Sequence, residues 1–219
     1  SPDCVECFYQ EIVKGANFDL YHFDIDAIDE NNHVIFKCRR FPKILTSLDF
    51  YKGKENDDLD SFVVEYVFSR KVFEETGGFQ NFDLAWGADI ATWVKFADEK
   101  GICNIDGGKV YWRKSYANIT PNRQKEIAKR KFSINVDYFN WINNFFGRNI
   151  IATFNEYAFV RNFVFYSRIL TRRQLNEITE KAVSLKVLPI LMKNVLLTML
   201  PLIKVAKLIK SNMIKKNIQ

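Results

Sequence analysis

The sequence predicts an α/β unit over residues 1–120 followed by a helical region over 121–219. Three observations lead there. "NFDLYHFDIDAID" alternates, so Tyr21, Phe23, Ile25 and Ala27 share one face, the period of a strand. "SRKVFEETGGFQNFDLAWGADIATWVKFADEKG" sets two helical patterns around a glycine pair. Beyond Pro121 no strand pattern recurs. With 219 residues, 47% of them hydrophobic and 20 phenylalanines, the chain can fill the core of one domain plus an appendage.

The elements follow in order. "SPDCVECFYQEIVKG" predicts a helix over 3–14, with Ser1 or Asp3 as cap, Pro2 near the first turn and Gly15 as the stop. After the alternating strand, "DENN" is a turn and "HVIFKCR" a returning strand, a hairpin with a four-residue connection. Residues 41–60 read as irregular and polar, ending in the exposed loop "GKENDDLD". "FVVEYVF" is a strand or a buried edge. Ser69 then caps a short helix that Gly77-Gly78 ends. Ile90, Trp93, Val94 and Ala97 recur at helical spacing, an amphipathic helix closing at Gly101. "ICNIDGGKVYWRKS" predicts a turn at Asp106-Gly107-Gly108 and a strand through Val110 and Trp112. "NRQKEIAKRKFSINVDYFNWINNFF" and "FNEYAFVRNFVFYSRIL" read as helices separated by Gly147, and "RRQLNEITEKAVSL" as a third.

The net charge of +6 belongs to the C-terminal tail: after Glu180 there is no Asp or Glu, while eight lysines follow from Lys181 to Lys216. On a helical wheel Lys186, Lys193, Lys204, Lys207 and Lys215 fall within about 80°, the rest of the arc being aliphatic. Pro189 suits a first turn, and Pro201 should kink or split the helix. The longest uncharged run, Asn194–Ile203, is far below the ~20 residues of a membrane span. Two readings of residues 185–216 stay open: a helix lying on an anionic membrane surface, and a helix docked on the body with lysines facing water. Nucleic acid is not expected, because the tail has no aromatic residue and no arginine. The expected location is cytoplasmic, peripheral on the inner face of a membrane.

Candidate chemistry is sparse. Cys4-x-x-Cys7 stands without a second ligand pair, and Cys38 and Cys103 complete no zinc spacing, so free thiols are expected. No Walker A loop, GxGxxG, GxSxG, HExxH or kinase signature occurs, and His22 and His33 leave little for a histidine triad. Asp89 opens a helix close in sequence to Phe82, Trp86 and Trp93. It could cap that helix, or act as a base whose pKa burial raises, beside aromatic rings suited to stack on a sugar. Asp24-Ile25-Asp26 is a DxD match that could hold a divalent cation, or simply a solvated strand face. Arg113 and Lys114 leave a strand end where a phosphate could meet them.

The order of these pieces resembles the second half of family 2 glycosyltransferases with the GT-A fold. Gly77-Gly78-Phe79 matches that family's Gly-Gly-Phe. Gly87-Ala88-Asp89 aligns with its Gly-Glu-Asp triplet, and Arg113 with the basic residue near the end of its following strand. The similarity covers about residues 1–120. It departs at Ala88, where the family has Glu. The resemblance implies a partial GT-A fold, an acceptor-side half whose nucleotide-binding half and Asp-rich metal motif precede Ser1, which makes Asp24-Ile25-Asp26 a decoy. It further implies inverting transfer of a sugar from a nucleotide-sugar donor to a hydroxyl of a glycan or lipid-linked acceptor, in cell-surface polysaccharide synthesis. Asp89 would be the base. Gly77, Gly78, Phe79, Trp86, Gly87, Ala88, Trp112 and Arg113 would line the substrate site. Mg²⁺ or Mn²⁺ would be held mostly by residues outside this chain, leaving the chain alone inactive. The alternative is a non-catalytic binding or membrane-docking module.

Overall fold

The computed structural model of the chain describes residues 1–114 and 122–216, the stretch 204–216 by its backbone. Two compact units emerge: residues 1–81 with 87–118, and residues 82–86 with 119–219.

The first unit is α/β. Its elements are α1 (Cys4–Val13), β1 (Leu20–Ile28), β2 (Val34–Lys37), β3 (Ile44–Leu45), α2 (Ser47–Glu55), β4 (Tyr66–Phe68), α3 (Arg70–Glu75), α4 (Ala88–Phe96) and β5 (Ile102–Arg113). β1 is central. It pairs antiparallel with β4 through Leu20–His22 and with β2 through Asp26–Ile28, and parallel with β5 along its whole length. β3 adds antiparallel to β5, so the sheet is mixed.

The alternation in β1 predicts one buried face, whereas nearly every residue of the strand is buried. The polar positions are inside because they have partners. His22 meets Asn104, Asp24 meets Arg40, and Asp26 meets Lys109. The turn expected at Asp106-Gly107-Gly108 is instead a bulge in one continuous strand: Phe23 faces Ile105, and the next residue, Asp24, faces Lys109. Gly107 takes φ +96°, and a Cβ on Gly108 would lie 2.9 Å from the Phe23 ring, so glycine is required at both positions.

The stretch read as irregular, 41–60, holds β3 and α2. Thr46 caps α2 by accepting the Asp49 N–H, and Phe50 and Tyr51 turn into the core. Only Tyr66–Phe68 of "FVVEYVF" is strand; Val63 and Val64 are exposed in the turn before it. Ser69 caps α3 as expected, accepting the Val72 N–H. Asp3 occupies the N-cap position of α1 without a side-chain cap bond. The core gathers Tyr66, Phe68, Phe73, Trp93 and Phe96 in mutual ring contact. A separate cluster of Tyr21, Phe23, Cys103 and Ile105 receives Phe8 from α1.

The second unit is helical: α5 (Lys125–Phe146), α6 (Arg148–Tyr166), α7 (Arg172–Ser184) and α8 (Ile190–Lys216). Gly147, at φ +86°, separates α5 from α6, and α6 begins directly after it rather than at Phe154. Asn135 donates to Asn162 at 3.0 Å, and Asn155 donates to Asn143 at 2.7 Å. These bonds fix the antiparallel register of the two helices inside a core of Phe132, Phe159 and Phe163. Pro189 lies just before α8, its carbonyl accepting the Lys193 N–H, and Pro201 sits within α8 without ending it. Lys186 is in the preceding turn at φ +55°, so it is off the helical face the wheel gave it. The side chains of Lys204, Lys207 and Lys215 lie outside the described residues.

Phe82–Trp86 belongs to this unit and lies along α5. Arg130 donates from Nε and Nη2 to Asp83, Phe82 stands edge-on to Tyr138, and the Trp86 indole N–H donates to Asn135 at 2.7 Å. The Lys131 ammonium sits 4.4 Å from the Trp86 ring centroid. Among the described residues, no helix is long and apolar enough to cross a membrane.

Candidate functional site

Asp89 is the second residue of α4. The N-cap position belongs to Gly87, whose φ of +76° suits glycine and which offers no side-chain cap. The Asp89 Oδ1 accepts the Ile90 N–H at 2.9 Å, so the carboxylate does serve a first-turn donor. Burial nonetheless pushes its pKa above the usual carboxylate value, against the lowering effect of that N–H and of the Lys54 charge.

Lys54 comes from α2, which packs on α4. Its ammonium donates to the carbonyls of Leu59 (3.3 Å) and Ser61 (3.2 Å), and burial lowers its pKa. Ser61 Oγ is 2.6 Å from the Tyr66 hydroxyl, and the Tyr66 ring stacks on Trp93 of α4 at 4.5 Å. The loop 59–66 thus runs beside the helix that carries Asp89.

Glu65 in this loop is a residue that sequence reasoning missed. It is 0% exposed. Its Oε1 accepts the Phe62 N–H, and its Oε2 has no hydrogen-bond partner among the described residues. Burial raises its pKa. The one available signal was a lone charge inside the apolar run "FVVEYVF". Phe62, in turn, stacks on Trp112 at 4.2 Å. Asp89, Lys54, Glu65 and Trp112 are therefore linked through one loop.

Other expected site residues have structural work. Gly77 and Gly78 adopt φ +76° and +80° and end α3. Lys95 of α4 donates to the Thr76 and Gly78 carbonyls, and Thr92 Oγ accepts the Gln80 N–H at 2.9 Å, so the loop is fastened to α4. Phe79 is 57% exposed while its ring touches Phe68 and Phe73. The Ala88 carbonyl accepts from Thr92 Oγ at 2.6 Å. Arg113 is spent on the β1–β2 turn, donating to the Asp29 carbonyl and the Asn32 side chain. Trp86 binds within the helical unit, as described.

The DxD carboxylates do not fit a divalent cation. Asp24 pairs with Arg40 at 3.0 Å and Asp26 with Lys109 at 2.7 Å. No group of three metal-ligating side chains occurs among the described residues. All four cysteines are free thiols. Comparison of the chain with protein-family models, with curated proteins and with solved structures finds no match.

Proposed function

We propose that this chain is the acceptor-side part of an inverting glycosyltransferase of the family 2, GT-A type, with Asp89 as its general base. The observation that carries this reading is the Asp89 carboxylate itself. It opens a helix behind a left-handed glycine, half-buried, with its pKa raised. A carboxylate whose pKa burial raises is a stronger base than an ordinary aspartate. The acceptor hydroxyl oxygen attacks the anomeric carbon of the donor sugar, and its proton passes to Asp89. The bond from that carbon to the diphosphate breaks, and the nucleoside diphosphate leaves with the electron pair. Exposed Phe79 offers an apolar ring on which a sugar could stack, while one face of Trp112 is taken by Phe62. Lys54 senses the charges of both Asp89 and the buried Glu65. No step is assigned to a metal ion, because the carboxylates Asp24 and Asp26 are paired with Arg40 and Lys109 and the described residues hold no group of three ligands.

The test follows nucleoside diphosphate release from nucleotide-sugars by the full protein. Asp89→Asn should lower turnover by ~10²–10⁴-fold while leaving the circular dichroism spectrum unchanged. Turnover within a few-fold of wild type would return Asp89 to a purely structural role. A second reading has its own support. With Arg113, Asp24 and Asp26 all engaged internally, a non-catalytic binding module would need nothing more from them. Calorimetric titration with uridine diphosphate and Mn²⁺ separates the two, since a transferase must bind nucleotide and a module need not.

A further inference from the structure

Helix α8 inverts the pattern of a water-facing helix. Leu196 and Leu200 are buried, as such a helix requires. The charge, however, also points inward: the Lys193 side chain is only 13% exposed and its ammonium pairs with Glu180 of α7. The outward face holds Ile190, Leu191, Val195, Met199 and Leu202, exposed to between 46% and 73%. Lys193 is the sole charged residue between Ile190 and Ile203. The outward face therefore carries an uncharged, mainly aliphatic row for about 3.5 turns, with exposed Asn194 and Thr198 along one edge. A contiguous exposed apolar row of this kind marks an interaction surface.

Charge selects the occupant. Eight lysines and no acidic residue follow Glu180; Lys181 and Lys193 are already paired with Asp137 and Glu180, and the remaining lysine excess lies mainly in the 204–216 end. A second copy of the chain would bring lysine to lysine, while an anionic bilayer would complement them. The row is too short to span and Pro201 interrupts its backbone bonding, which suits a helix lying in the plane of the interface.

We infer that α8 docks the protein on anionic membranes, with the Ile190–Leu202 row entering the acyl boundary and the lysine-rich end drawing it to the headgroups. In the wheel reading Lys193 belongs to the lysine sector opposite the aliphatic arc; in the structure it stays off the apolar row, but its ammonium is spent on Glu180. Membrane docking does not rest on the transferase reading and stands or falls separately.

The experiment is co-sedimentation of the full chain with vesicles of phosphatidylcholine alone and of equimolar phosphatidylcholine and phosphatidylglycerol. Wild type should bind the anionic vesicles and bind the neutral ones poorly. Leu191→Glu with Val195→Glu changes exposed positions only, so the fold should hold by circular dichroism. Its binding to anionic vesicles should fall by about tenfold or more. Lys204→Gln with Lys207→Gln should weaken anionic binding without altering the neutral control. Three outcomes overturn the proposal: wild type that ignores anionic vesicles, a double-glutamate variant that binds like wild type, and a lipid-indifferent wild-type dimer that this variant makes monomeric in analytical ultracentrifugation. The last result would make the row a contact between copies.

Discussion

His22 lies in β1, 1% exposed, its ring stacked on Phe41 at 3.8 Å and nearly parallel to it. Asn104 donates its amide to Asp24, which leaves its oxygen to accept from His22 Nδ1. The bare Nε2 is then buried with no partner among the described residues. Burial lowers the His22 pKa from 6.5 to about 4. The folded-state pKa is depressed, so the stability involved is present above pH 6.5 and is lost as pH falls toward 4, because the unfolded chain takes the proton first. The full effect is on the order of 3 kcal/mol. His22→Phe keeps the stack and removes the proton site, so its melting temperature should fall less than that of wild type across this window. Asp89 and Glu65 run in the opposite sense. Their raised pKa values favour the neutral forms, so their contribution is lost as pH rises through them. At this scale the sequence made Asp89 visible, because a carboxylate after Gly87 at the start of a helical period is a local pattern. Glu65 was hidden, because its burial comes from α2, β4 and the 59–66 loop folding together.

Elements were legible where one face carries the period. α3 stands where Ser69 and Gly77-Gly78 put it and α7 where its helical pattern does, and Gly147 divides α5 from α6; α4 follows its apolar spacing but ends at Phe96, short of Gly101, with Gly87 rather than Asp89 at its N-cap. α2 was missed because it buries little beyond Phe50 and Tyr51 and looks polar otherwise; its one local signal is Thr46 followed three residues later by Asp49. The β5 bulge was read as a turn because Gly-Gly permits either, and only the pairing of Phe23 with Ile105 decides between them. Gly101 shows how tightly these elements meet. It has φ +80°, and a Cβ there would sit 2.6 Å from the Leu45 carbonyl oxygen. Since Leu45 is backbone-paired to Ile102, that oxygen has little room to move. Gly101→Ala should cost about 1–3 kcal/mol in urea denaturation. A neutral result would mean that β3 is free to shift.

For the molecule as a whole, the division near residue 120 was readable from the loss of strand pattern, but the assignment of Phe82–Trp86 was not. Nothing local distinguishes those residues from their neighbours; their partners, Arg130, Lys131, Asn135 and Tyr138, are about fifty residues away in sequence. Each unit has its own buried core, Phe96 and Ile102 among others in one, Phe132 and Phe159 in the other. Heating should therefore give two calorimetric transitions. A single transition with matching calorimetric and van't Hoff enthalpies would show that the units unfold together.

The seat of Trp86 has an optical consequence. Of the chain's four tryptophans, Trp93 and Trp112 belong to the α/β unit, while Trp86 and Trp141 belong to the helical one. Trp86 is embedded in a stretch whose flanks belong to the α/β unit, yet its indole bonds to Asn135 and lies under Lys131. A chain keeping Trp86 as its sole emitter would carry a label for α5 inside the sequence that leads to Asp89. Its emission maximum should shift when the helical unit melts, whatever the sheet is doing.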